Sequence, residues 1–225
     1  MKHRYSLLLI SIFCATGHLL AQETDSVRAG LEKERNRWNN SLTRDTAYKF
    51  NKQPNALLID AIKNRKPGEA LDVGMGQGRN SIYLAQQGWN VTGFDIADEA
   101  VASAKARAKK VNVKITTMLE PIEAFDFGDS RWDLIAYVYE GCMEKEVLEK
   151  IKKSLKPGGI IVFEFFHREA GIKMMRPAFG CETNSIKNLF SKAGGFTIVR
   201  YEEAEGIADY SLRRYKLVKL VAERN

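Results

Sequence analysis

Apolar positions along the chain follow two spacings that take turns. From Glu69 onward, short apolar runs such as Ala70-Leu71-Asp72-Val73 and Ile160-Ile161-Val162-Phe163 are separated by stretches whose apolar residues recur at helical spacing. Short apolar runs between turn residues read as strands, and the longer period reads as helix. Strands are predicted over 69–73, 90–94, 113–118, 132–137 and 160–166, with helices over 79–87, 97–110 and 145–155 between them. A last helix over 184–193 precedes two closing strands, 196–201 and 215–222. This alternation implies an α/β fold, a doubly wound sheet whose strands are mostly parallel and carry helices on both faces.

Two helices are expected ahead of the sheet. Pro54 to Asn64 starts on a residue that suits the first helical turn, carries Leu57, Leu58, Ala61 and Ile62 at helical spacing, and ends at Lys66-Pro67-Gly68. Asp25 to Trp38 is highly charged, with Val27, Leu31 and Trp38 as its main apolar positions, and reads as a weakly amphipathic lid or N-terminal extension. The first residues differ again: Lys2, His3 and Arg4 form a basic head, Tyr5 to Phe13 an apolar stretch, and polar residues return by Gln22. That is the layout of an export signal over 1–21, cut after Ala21 or after Gly17, with an uncleaved membrane anchor as the alternative. A spanning helix needs about 20 apolar residues, and Thr16-Gly17-His18 interrupt this one.

Composition adds limits. The net charge is +7, and removing Lys2 and Arg4 with the leader leaves 33 basic against 28 acidic residues, a net of +5. The densest basic run, Lys105 to Lys110, falls at a predicted helix end, where cations meet the negative pole of the helix dipole, and no aromatic residues interleave with it to stack on bases. Nucleic acid is therefore not the expected partner, and contact with a membrane is expected only through the leader. Three histidines, two of them in the leader, make a protein-only metal site unexpected. Cys142 and Cys181 are the cysteines left to pair outside the leader, and their spacing does not decide whether they meet.

The candidate chemistry starts at Asp72-Val73-Gly74-Met75-Gly76-Gln77-Gly78, three alternating glycines between a strand and a helix. Glycines there allow a tight turn and close approach of a ligand to the backbone. Arg79 stands where a dinucleotide fingerprint needs its third glycine, and no Gly-Lys-Ser/Thr follows to hold a phosphate. Asp72 suits an ammonium group, and Asp95, at the end of the second strand, suits the two hydroxyls of a ribose. A ligand with an amino group, a ribose and little negative charge fits both; S-adenosylmethionine is such a molecule.

With Gly93-Phe94-Asp95-Ile96, Trp132-Asp133-Leu134-Ile135 and Leu155-Lys156-Pro157-Gly158-Gly159 following in order, the chain resembles the class I S-adenosylmethionine-dependent methyltransferases from about Trp38 to its end. The stretch Gly76 to Ala85 is similar to the tellurite-resistance and thiopurine methyltransferase-like branch of small-molecule enzymes. The resemblance implies a Rossmann-like seven-stranded sheet with one antiparallel strand near the C-terminus. It divides the chain into a leader (1–21), a helical extension or lid (22–66) and a methyltransferase domain (67–225). It also implies S-adenosylmethionine as cofactor, held by Asp72, Gly74, Met75, Gly76, Gly78, Asn80, Asp95, Ile96 and Glu120. Pro121 takes the place where relatives often carry an acid for the adenine, so Glu120, Glu123 or a backbone carbonyl is left to serve.

Loops after the fourth and fifth strands are expected to form the acceptor pocket in such a fold. Glu140 and His167 are the groups there that could take a proton from an acceptor, and Cys142 reads as a reactive thiol or a small packing residue. Trp38, Tyr48, Phe50 and Tyr139 are candidate walls, with Arg176 to Gly180 as a flap. The family likeness leans toward a small lipophilic or soft acceptor such as a thiol, selenide or tellurite species. Two other readings stand beside it: an exported protein of this fold that binds without turnover, and a methyltransferase of protein or nucleic acid. The Asn/Asp-Pro-Pro-Tyr/Phe motif of many amino-group methylases is missing after the fourth strand.

Overall fold

The computed structural model describes residues 26–45, 47 and 49–225, so the leader over 1–21 and Tyr48 lie outside the described residues. Its frame is a seven-stranded sheet: β1 (Glu69–Val73), β2 (Asn90–Asp95), β3 (Thr116–Leu119), β4 (Trp132–Val138), β5 (Leu155–Phe166), β6 (Phe196–Ile207) and β7 (Arg214–Arg224). The strand order is β3-β2-β1-β4-β5-β7-β6. Neighbours from β3 through β5 are parallel, while β7 runs antiparallel to both β5 and β6. The single antiparallel strand expected near the C-terminus is therefore β7. The chain first winds outward from β1 to β3 and then returns to place β4 beside β1, which opens a crevice at the carboxyl ends of β1 and β4.

Helices α1 (26–39), α2 (Ala56–Ile62), α3 (Arg79–Gln86), α4 (Asp98–Lys110), α5 (Lys145–Ser154), α6 (Arg168–Lys173) and α7 (Ser185–Ala193) complete the described part, with a π turn at Asn40–Arg44 extending α1. One main core holds the sheet and its helices together. Trp132, Phe94, Phe163, Phe190 and Leu134 are among its fully buried members, and Phe94 stacks on Phe125 with ring centres 4.0 Å apart.

Four departures from the sequence reading have local causes. The third strand starts at Thr116 rather than 113, because Asn112 adopts φ 56° and the Val113 amide bonds back to the Ala108 carbonyl at 3.0 Å. That closes α4 as a Schellman turn and uses up the residues that looked extended. The fifth strand starts at Leu155, whose pairing with Trp132 is followed by a register shift across Lys156-Pro157-Gly158-Gly159 before Ile160 meets Leu134. The sixth runs on to Ile207, carried by eleven residue pairs with β7. Finally, α6 is a short helix that the apolar pattern did not announce.

Candidate active site

The glycine loop joins β1 to α3 under tight steric terms. Gly74 has φ 62°, and a β-carbon there would collide with the Glu140 carboxyl group; Gly78 has φ 74°, and a β-carbon there would lie 2.9 Å from that of Ala104. Loop and second strand are tied together: Met75 N–H bonds to the Phe94 carbonyl at 2.9 Å, and Gly76 N–H to Asp95 Oδ2 at 2.8 Å. Asp95 Oδ1 accepts the Ala97 N–H at 2.8 Å, so backbone donors fix the carboxylate's orientation while spare lone pairs remain. Burial pushes its pKa up in spite of those donors.

A cavity of about 440 Å³ opens at this crevice, lined by Gly74, Asp95, Ile96 and Glu120 among others. Its walls carry seven acidic side chains against two basic ones, Arg37 and Lys150. Such a charge balance disfavours a polyphosphate and suits a cation. Helix α1 and its π turn cover the cavity with Trp38 and Leu42. They are anchored by Arg35 Nε on the Ile96 carbonyl (3.1 Å), Thr43 Oγ1 on Glu99 Oε2 (2.6 Å), and Gln77 Nε2 on the Leu42 carbonyl (2.7 Å). Asn39 Nδ2 adds a bond to Asp98 Oδ1 at 2.8 Å, so the cover docks on the start of α4.

Of the residues expected at the cofactor, Asp72, Met75, Gly76, Gly78 and Asn80 do not line the larger cavity. Asp72 is buried beneath the loop, where its Oδ2 accepts the Ser81 hydroxyl at 2.6 Å; burial pushes it up to about 6, and it does not line the cavity. Met75 contributes backbone, while its side chain packs with Val101 and Ala104 beneath Gly93. Asn80 spends its Oδ1 on the Asn55 N–H at 2.9 Å and lines a smaller adjoining cavity of about 280 Å³ with Gly74, Met75 and Gly76. Gly78 serves as the N-cap of α3.

Beyond Glu140 lies a second cavity of about 600 Å³, which shares Trp38, Tyr139, Glu140, Gly141 and Cys142 with the first. Trp38, Phe50 and Tyr139 line it, as do Arg176, Ala178, Phe179 and Gly180 from the segment expected as a flap. Glu140 stands between the two cavities, and burial together with the charges of Asp95, Glu123, Asp72 and Glu34 pushes it up to about 8. Tyr139, at φ 64°, is held in place by accepting the Asp209 N–H on its hydroxyl at 3.1 Å. Asp209 in turn pairs with Arg79 at 2.7 Å and accepts from Asn51 (2.7 Å) and Asn55 (2.9 Å). This network escaped the sequence reading, because Asp209 lies in a turn with no pattern around it.

His167 does not reach either cavity. It is buried, caps α6 by accepting the Glu169 N–H on Nδ1 at 3.1 Å, and places Nε2 3.1 Å from the Thr183 hydroxyl. Those bonds give it a structural place in the fold, apart from the lining of both cavities. Cys142 is neither a free thiol nor a lone packing residue: it forms a disulfide with Cys181, which ties the loop after β4 to the segment after α6.

A parallel sheet with β7 reversed, a glycine loop over its switch point and an acid at the end of β2 define a methyltransferase-type domain. Residues 70–159 match the methyltransferase domain family model. The match takes in 90 of the 225 residues, the glycine loop and Asp95 among them. The chain is 32% identical over 99 residues to a probable S-adenosyl-L-methionine-dependent methyltransferase, TehB, of Haemophilus influenzae, a match covering 44% of this chain and 35% of that protein. It is also 32% identical over 104 residues to a ubiquinone biosynthesis O-methyltransferase of Rickettsia akari, covering 44% of this chain and 41% of the relative. The match thus spans well under half the length of these curated relatives. The crystal structure of Haemophilus influenzae TehB shares the fold with a TM-score of 0.65 at 21% identity, over 83% of this chain and 65% of that one.

Proposed function

We propose that the protein transfers a methyl group from S-adenosylmethionine to a small-molecule acceptor with a dissociable, soft nucleophile such as a thiol. The observation that carries this reading is the pair of cavities, one acidic and built on Asp95, the other apolar, meeting at Tyr139 and Glu140. When bound, the cofactor supplies a methyl group already activated on a sulfonium and open to in-line displacement. The chain's own residues then position, enclose and deprotonate. Asp95 accepts ribose hydroxyls, Ile96 and Glu120 flank the adenine side, and the α1 cover excludes water. Orientation alone is worth effective molarities of about 10⁵ to 10⁸ M. With its pKa raised to about 8, Glu140 is placed to take the acceptor's proton near neutral pH.

Export through the leader belongs to the same proposal, and the Cys142–Cys181 disulfide supports it, since such bonds persist in oxidising compartments. Fractionation of cells should find the chain outside the cytosol without residues 1–21; a cytosolic chain retaining them would remove that part.

The function is tested by incubating the protein with isotopically methyl-labelled cofactor and a panel of small thiols, phenols and bulk protein. Label should pass to a small acceptor, and Glu140→Gln should slow the transfer by roughly 10²-fold. Binding of the cofactor without transfer to any acceptor would leave a binding protein, and label on bulk protein alone would move the acceptor to macromolecules.

A further inference from the structure

Among the described residues, three buried side-chain atoms lack a hydrogen-bond partner, and two of them, Arg168 Nε and Ser185 Oγ, belong to residues that line the apolar cavity. Arg168, Arg176 and Ser185 thus set polar groups into the wall of an otherwise aromatic cavity. Arg168 is held by its Nη1 on the Pro177 carbonyl at 2.7 Å, while its Nε lies 3.0 Å from Glu182 Oε1 but off the line of its N–H. Arg176 lays its guanidinium 4.9 Å from the centre of the Phe179 ring and has no acidic partner among the described residues. Ser185 opens α7, whose N-cap, Asn184, makes no side-chain capping bond.

The rest of the wall is aromatic. Tyr139 and Tyr210 stack with ring centres 5.0 Å apart, and Phe165 and Phe166 each lie 5.3 Å from Phe179. Two acids line the cavity: Glu182, beside Arg168, and Glu140, at the junction with the cofactor cavity. Arg168, Arg176 and Ser185 lie on the α6–α7 side, while Arg37, paired with Glu34, and Glu140 lie on the side of the first cavity.

We propose that this cavity takes an acceptor with a flat apolar body and one anionic group, the body among Tyr139, Tyr210, Phe165 and Phe179 and the anion on Arg168, Arg176 and Ser185. This rests on the methyl-transfer reading, which assigns the second cavity to the acceptor. A planar guanidinium fork beside a hydroxyl suits a carboxylate or a similar oxyanion, and the aromatic walls suit a ring. Charge at one end also sets the acceptor's direction, so that its nucleophile faces Glu140 and the first cavity.

The test is calorimetric titration of the disulfide-intact protein with 2-naphthoate and with its neutral counterpart 2-naphthamide, in low and high salt. Wild type should bind the acid about tenfold more tightly than the amide, a difference of about 1.4 kcal/mol. High salt should erode the binding of the acid and spare the amide. In Arg168→Gln/Arg176→Gln the preference should fall below about twofold. Equal binding of acid and amide by wild type, binding of neither, or a preference that survives in the folded double variant would overturn the proposal. The wild-type salt comparison decides even where the double variant does not fold. A parallel titration with S-adenosylmethionine separates the two readings: cofactor binding without preference for the acid leaves methyl transfer standing and removes only the anionic acceptor.

Discussion

Glu140 stands where the two cavities meet, and the proposed chemistry turns on its carboxyl group. Its folded-state pKa of about 8 lies above the ordinary 4.5 because it is enclosed among other acids. Below 4.5 it is protonated in the folded and unfolded chain alike. Between 4.5 and about 8 the folded chain holds the extra proton, so stability falls as pH rises through that window and levels off above it. Thermal unfolding of Glu140→Gln across this range should show a flatter pH dependence than wild type. An equally steep slope in the variant would place the effect elsewhere. A cationic cofactor beside the carboxylate favours its charged form, so binding near pH 7 should release protons. Calorimetric enthalpies that vary with buffer in wild type but not in Glu140→Gln are expected; identical behaviour of the two would contradict it. His167 makes the opposite case. As a buried N-cap, its change to Ala should cost at least about 1 kcal/mol of stability while kcat stays near wild type, and a collapse of kcat in folded protein would return it to the chemistry.

At the level of elements, two attachments shape the site: the cover on α4 and the bridge between loops. Arg44 and Thr43 both bind Glu99, so Glu99→Ala should loosen the cover and speed cofactor release in stopped-flow measurements. An unchanged release rate would mean that α1 does not control entry. The Cys142–Cys181 bond spans 39 residues, and its loss in Cys142→Ser should cost about 2 to 4 kcal/mol and loosen the second cavity. A melting temperature unaffected by reductant would show that the bridge carries no weight. The parallel strands and their helices were legible in the chain because burial makes their apolar runs continuous. Edges were not: β6 has polar Glu202, Glu203 and Glu205 where it is sustained by pairing with β7 rather than by burial. Nor was α6, whose six residues are too few for a period, and whose cap, His167, has the same residue type as a catalytic base. The disulfide is a product of that fold, since α6 and the turn after it return Cys181 to the loop after β4.

For the whole molecule, the sheet decides where function can sit. Its order reverses at β1, which brings the glycine loop, Asp95 and the end of β4 to one edge, and the second cavity forms where β4 and β5 end beside it. The glycine loop and Asp95, which meet at the first cavity, were legible because a tight turn needs glycine and a strand end marks the crevice. Of the second cavity, Trp38, Phe50, Tyr139, Glu140 and the 176–180 segment were legible, while Tyr210 and Ser185 were not, because they converge from distant segments. The central claim is that the acidic cavity is built for S-adenosylmethionine through Asp95. It is tested most directly by calorimetric titration of wild type and Asp95→Ala with S-adenosylmethionine and its demethylated product, with circular dichroism as the check on folding. The account predicts that wild type binds both ligands and that the variant, though folded, binds each at least about tenfold more weakly, as expected for lost hydrogen bonds to a charged group. A folded wild type that binds neither ligand, or a variant that binds as well as wild type, would contradict it.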